Sequence, residues 1–305
     1  MSGADRSAHG PQITLGPVLF NWPTDQWVDF YARIADEADV DRVCVGEVVC
    51  SKRTPFRDEV AAAVVERLAR AGKEVVYATL AMPTTVRETR AIREVVEAGC
   101  LVEANDIATI HLLAGRAHIT GPFLNIYNED AVAFHGALGA TRVCLPPELS
   151  LDAVRLLAAS SPLIEVFCFG RAPLAISARC YHTRAHGLAK DGCHFVCERD
   201  PDGMDVLTID GKPFVAVNGV QILGHVVTAA VHQIEALRTA GVASLRLSPQ
   251  GCDMVEVARV FRGLATASLG PDEAIARLSS IRLPGALSDG YLRGQAGAKC
   301  IRELD

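Results

Sequence analysis

What most constrains this chain is an alternation. Eight short apolar runs recur along it, at 13–18, 42–47, 74–80, 101–104, 118–123, 142–145, 163–169 and 244–247. Each is followed by residues with a helical pattern. The runs are nearly continuously apolar rather than alternating, as expected of strands buried on both faces of a parallel sheet. Trp27, Phe30, Tyr31, Ile34 and Ala35 mark the first helix, and Val60, Val64 and Leu68 the second, which Gly72 ends. Thr85 and Glu88 form a capping box for the next. Further helices are expected near 106–114, 128–138, 150–159, 224–240 and 253–265. Eight βα units predict an α/β fold of the (β/α)8 barrel type, with a doubly wound open sheet as the alternative. The whole chain, 1–305, reads as one domain with a flexible start at 1–11.

One connection is oversized. The segment 171–223, after the seventh strand, is too long for a simple βα loop. It contains a hairpin, DVLTIDGKPFVAV (205–217), turning at Asp210 and Gly211. Ahead of the hairpin lie three cysteines spaced Cys180-x12-Cys193-x3-Cys197. A structural cysteine behaves as a small hydrophobe among apolar neighbours. These three stand among Arg, His, Lys and Asp. Three soft ligands need a fourth to hold a tetrahedral zinc or an iron–sulfur cluster. Cys50, in the loop after the second strand, is the candidate. In a barrel, loops that follow the strands share one face, so Cys50 and the trio belong together there. Strands two and seven are not neighbours in the ring, so the insertion must reach across the mouth. Irregular spacing favours a [4Fe-4S] cluster, while His182, His186 and His194 keep zinc open. Without a metal, the trio is fortuitous and the histidines are solvated.

Composition narrows the classes. Half of the 305 residues are apolar and the formal charge is −6, with no basic stretch suited to nucleic acid or an anionic membrane. Residues 1–11 lack an apolar signal-peptide core, and no run of 18 apolar residues occurs. A soluble, cytoplasmic protein is expected. The ten cysteines are then reduced thiols rather than disulfides. Cys44, Cys144 and Cys168 lie in apolar runs and are expected in the core. Cys100, Cys252 and Cys300 suggest no role. Glu47 and Arg246 sit where a barrel mouth would be, and an ion pair between them would be structural. Asn125, Tyr127 and Asn128 line a pocket or cap a helix. No G-x-G-x-x-G, Walker, G-x-S-x-G or H-E-x-x-H pattern is present.

Six segments carry a resemblance: LGPVLFNWP (15–23), GEVVCSKR (46–53), PPELS (146–150), SARC (177–180), the Cys193-x3-Cys197 pair and LSPQG (247–251). Together they resemble the ubiquinone-biosynthesis members of the family labelled peptidase U32. Asp289-Gly290-Tyr291 resembles a tail motif of that family. The resemblance implies a [4Fe-4S] cluster on Cys50, Cys180, Cys193 and Cys197. It implies a heterodimer with a related UbiU-like subunit and a UbiT-like lipid-binding protein as a further partner. The activity implied is O2-independent ring hydroxylation of a quinone precursor, with prephenate as oxygen source. It leaves the catalytic residues unassigned. The alternatives are a non-catalytic electron-transfer or structural iron–sulfur subunit and, more distantly, a peptidase. Hydrolysis would need an activated nucleophile or an open metal-bound water, and no such constellation is legible.

Overall fold

The computed structural model describes residues 10–161 and 163–301. The expected flexibility of 1–11 therefore falls almost wholly outside the described residues. In chain order the strands are β1 (Gln12–Leu15), β2 (Arg42–Val45), β3 (Glu74–Ala78), β4 (Val102–Ala104), β5 (His118–Thr120), β6 (Ala140–Cys144), β7 (Ile164–Gly170), β8 (Pro173–Ile176), β9 (Met204–Leu207), β10 (Pro213–Asn218), β11 (Gln221–Gly224), β12 (Val227–Ala229), β13 (Ser244–Leu247) and β14 (Leu287–Ser288). The helices are α1 (Thr24–Glu37), α2 (Pro55–Arg70), α3 (Val86–Glu97), α4 (Ile107–Leu113), α5 (Glu129–Ala137), α6 (Leu151–Ser160), α7 (Tyr181–Ala185), α8 (Ile234–Thr239), α9 (Met254–Ala265) and α10 (Pro271–Ser280).

β13 pairs with both β1 and β7, which closes the order β13-β1-β2-β3-β4-β5-β6-β7 into a ring. Every pairing within that ring is parallel. The fold is a (β/α)8 barrel, and its eight strands are the eight apolar runs of the sequence. Closure removes the free edges an open sheet would expose. The helices dock by amphipathic faces: α1 buries Trp27, Tyr31, Ile34 and Ala35, and on α9 Phe261 meets Phe169 of β7 at 5.9 Å between ring centres. Fully burying an aliphatic or aromatic side chain of this size contributes about 1.5–3 kcal/mol. Side-chain caps begin several helices. Thr85 and Glu88 complete the capping box of α3, and Asp106, Asn128, Ser150 and Asp253 cap α4, α5, α6 and α9.

The region 224–240 departs from the expected helix. Its first part is not helical: β11 ends at Gly224, β12 runs antiparallel to the end of β7, and the helix begins only at the 3-10 turn Val231–Gln233 that leads into α8. The apolar run there mimics a buried helical face, but Gly224 and the β-branched residues that follow complete two sheets instead. The insertion builds its own antiparallel sheet, β8-β11-β10-β9. Its β9–β10 hairpin turns at Gly211, which has a φ of 79°.

At the end of β2 a tight bend starts the loop that carries Cys50. Gly46 has φ +112°, and a Cβ there would stand 2.4 Å from the Ala78 carbonyl oxygen. Gly46→Ala is expected to cost more than about 1 kcal/mol, since both the backbone conformation and the space exclude a side chain. A thermal melt that matched the parent would contradict this.

Candidate metal centre

The insertion lies across the barrel mouth. β2 and β7 are separated by β13 and β1 in the ring, and the insertion is tied to the loops after all three strands on that side. Trp22 Nε1, after β1, donates to the Pro201 carbonyl at 2.7 Å. Arg53, after β2, donates to Asn218 Oδ1 at 2.9 Å. The Gly251 amide, after β13, donates to Asp202 Oδ1 at 2.5 Å. The contacts come from chain segments far apart in sequence, so the barrel must close before this face exists.

Cys50, Cys180, Cys193 and Cys197 all line one pocket, together with Lys52, Arg53, His182 and Lys190. Cys50 precedes the turn Ser51–Arg53, and Cys180 precedes α7. Cys193 and Cys197 bracket a bend in which His194 and Phe195 take the left-handed φ values 45° and 50°. For residues other than glycine this conformation costs about 1–2 kcal/mol each. Two contacts hold it: the Val196 amide donates to the Cys193 carbonyl at 3.2 Å, and the Phe195 ring meets Phe56 edge-on at 4.8 Å. Strain maintained at one bend is characteristic of functional sites.

Arg53 is the cation of this pocket. It is 1 % exposed, donates to the Leu19 carbonyl at 2.7 Å and lies 3.8 Å from Glu47. Burial pushes the thiols of Cys50 and Cys197 upward, and Arg53 pulls both back. A guanidinium among thiols favours the thiolates that metal binding requires. Lys52 Nζ donates to the carbonyl of Lys190 at 2.7 Å, so the two cysteine loops are joined across the pocket. Close packing also leaves no room at Gly219, where a Cβ would stand 2.9 Å from the Arg53 guanidinium.

The other residues singled out fall elsewhere. Cys44, Cys144 and Cys168 are fully buried in the barrel, and burial raises each thiol, which keeps them protonated. Cys100 is exposed, and Cys252 and Cys300 are half-buried. Glu47 and Arg246 do not pair with each other. Glu47 pairs with Arg57 at 3.2 Å, whereas Arg246 pairs with Glu103 and, at 2.7 Å, with Glu165. Asn128 is a helix cap and exposed Tyr127 donates to Glu148. The tail residue Asp289 is buried, accepting from Gln233 at 2.8 Å and Arg293 at 2.7 Å.

His182 is not solvated. It is 0 % exposed, and its Nε2 lies 2.8 Å from Asp200 Oδ2. Its place in a loop rich in Arg, Lys and Gly suggested exposure, but the i,i+4 spacing to His186 and the turn after Cys197 fold it inward. Sequence reasoning also passed over Arg53. The signal available was its position three residues after Cys50.

The model of "Peptidase family U32" matches residues 27–295. The chain belongs to peptidase family U32. The match spans the barrel strands from β2 onward, the Cys50 loop and the whole insertion, so family membership covers the site as well as the scaffold. Two solved structures are similar at low identity. Dihydrodipicolinate synthase from Agrobacterium tumefaciens is 13 % identical with TM-score 0.35, over 90 % of this chain and 82 % of that one. A tryptophan synthase alpha-subunit mutant from Pyrococcus furiosus is 11 % identical with TM-score 0.31, over 88 % and 99 %. Among the described residues no helix is long and apolar enough to cross a membrane.

Proposed function

We propose that this U32 protein is a UbiV-type subunit holding a [4Fe-4S] cluster on Cys50, Cys180, Cys193 and Cys197. In this reading it works with a UbiU-like subunit in O2-independent ring hydroxylation during ubiquinone biosynthesis, with prephenate as oxygen donor and a UbiT-like lipid-binding protein as further partner. The observation that carries the proposal is the convergence of four thiols, from two loops far apart in sequence, on one pocket. The donor set suits the group: four soft ligands complete a cubane, and Lys52, Arg53 and Lys190 offset its negative charge.

Zinc fits less well. A tetrahedral ion with Zn–S near 2.3 Å requires sulfurs roughly 3.8 Å apart. Structural zinc sites meet that with two closely spaced cysteine pairs, whereas here one short pair, Cys193-x3-Cys197, is joined by a distant Cys180 and a remote Cys50. When bound, the cluster supplies one-electron transfer at a potential set by its surroundings. The chain's own part is to hold four thiolates, place a buried guanidinium beside two of them and cover the site with the insertion.

Anaerobic purification followed by iron and sulfide analysis tests the cofactor: about four of each per chain are expected. Cys180→Ala should lose them, while Cys44→Ser should keep them and cost some stability by burying a hydroxyl. Stoichiometric zinc without iron would reject the cluster, and cluster loss in a folded Cys44→Ser would move the ligand set. Deleting the gene and growing the strain without oxygen tests the pathway. Unhydroxylated quinone precursors should accumulate, rescued by the parent gene and not by Cys180→Ala. Normal anaerobic ubiquinone, with no redundant copy, would reject the role.

A further inference from the structure

We infer that His182, His186 and Asp200 form a second, mononuclear site beside the cysteine pocket, built for a divalent first-row transition-metal ion with open coordination positions. The inference does not rest on the cluster, because its donor set contains no thiol.

One ligand atom from each of the three residues lies within 4.8 Å of the other two. His182, on α7, and His186, just after it, stand four residues apart, so their rings leave the helix on one side. The rings stack at 5.8 Å with planes 14° apart. Asp200 follows the short turn Val196–Arg199 and brings its carboxylate to them. Two ligands bound to one ion at 2.0–2.2 Å stand roughly 2.9–3.5 Å apart. His182 Nε2 and Asp200 Oδ2, hydrogen-bonded at 2.8 Å, stand just short of that range, so a small outward shift of the carboxylate makes room for the ion. His186 is exposed and its side chain can close the site last.

His182 gives an independent indication. It is wholly buried, and besides Nε2 on Asp200 its ring faces the backbone of Val217, with Nδ1 making no well-formed hydrogen bond. A metal-bound imidazole places one nitrogen on the ion and turns the other to a carbonyl or carboxylate that orients the ring, and the Val217 backbone stands on that side of His182. Two imidazoles and one carboxylate on one side of an ion leave the remaining positions open to oxygen ligands. That differs from four thiolates, which fill a cluster's protein positions. His182 also lines the cysteine pocket, so an oxygen ligand on the ion would sit next to the redox group.

The test uses the full-length protein purified without oxygen, freed of loose metal with a chelator and dialysed against cobalt(II). The parent should take up one cobalt per chain with the weak visible absorption of nitrogen and oxygen ligation, and its iron and sulfide counts should not change. His186→Ala, at an exposed position, and Asp200→Asn should each weaken cobalt binding at least about tenfold, with the same iron content and the same melting curve. Cobalt bound equally by the parent and both variants, or no uptake by the parent, overturns the inference. So does cobalt found entirely on sulfur, revealed by intense thiolate-to-metal absorption. The iron and sulfide counts report separately on the cluster, so the two readings can fail independently.

Discussion

Arg246→Met is expected to destabilise the barrel by about 3–5 kcal/mol, because it leaves buried carboxylates without their cation. β13 and β4 lie diametrically opposite in the ring, so the pairing of Arg246 with Glu103 crosses the barrel interior. Arg246 Nε also holds Glu165 Oε1 at 2.7 Å, and Thr14 Oγ1 donates to Glu165 Oε2 at 2.7 Å. Arg42 Nη1 stands 3.9 Å from that same oxygen. Burial alone would raise the Glu165 carboxyl, but Arg246, Arg42 and the Thr14 hydroxyl outweigh it and bring it down to about 2. A carboxyl lower in the folded than in the unfolded chain stabilises the fold above its unfolded value, near 4.5. That contribution, on the order of 3 kcal/mol, is lost as pH falls from about 4.5 toward 2. Without Arg246 the folded carboxyl rises, and acid unfolding should begin at higher pH. Urea unfolding at pH 7 and an acid titration of the fold measure the two effects. Parent-like curves in both would show that the network contributes nothing. Adding Glu103→Gln and Glu165→Gln to Arg246→Met should restore part of the lost stability, since the uncompensated charges are then gone.

If the proposed cluster is held by the four cysteines, Arg53→Met is expected to lose its iron. The guanidinium is the buried cation facing Cys50, Cys197 and Glu47, and it bonds Leu19, in the loop after β1, and Asn218, in the insertion, which themselves meet, Asn218 Nδ2 donating to the Leu19 carbonyl at 2.8 Å. Its removal takes away favourable charge from the thiolates and a tie between the barrel and the insertion. The cost of breaking so buried a group is again about 3–5 kcal/mol. Arg53→Lys keeps the charge but cannot reach both partners with a planar fork, so partial iron retention is expected. Iron and sulfide content of the anaerobically purified variants, with circular dichroism to confirm folding, measures this. Full iron in a folded Arg53→Met would show that the cation is dispensable to the site.

The scaffold was legible because its signal is local. Continuous apolar runs such as 42–45 and 163–169, separated by capped helices, admit few architectures, and the positions of Thr85, Asp106 and Ser150 punctuate them. The same logic failed in the first part of 224–240, where the apolar run serves two sheets before the helix begins at Val231. Burial is shared by both conformations, and only strand partners distinguish them. The four cysteines were legible as a set by chemistry, since soft ligands among charged residues have little packing purpose.

What only the tertiary structure decided is which groups surround those cysteines. Arg53 faces two thiols because the insertion folds back over the loop after β2. His182 is buried because that fold-back brings the turn after Cys197, with Asp200, against α7. Glu103, Glu165 and Arg246 look like isolated charges in apolar strands until the ring closes and sets opposite strands face to face. Sequence therefore determined the elements and the ligand chemistry, which depend on periodicity and residue type. Long-range closure determined the charge partners, because a buried ion is stabilised by whatever lies within a few ångströms in space, however distant along the chain.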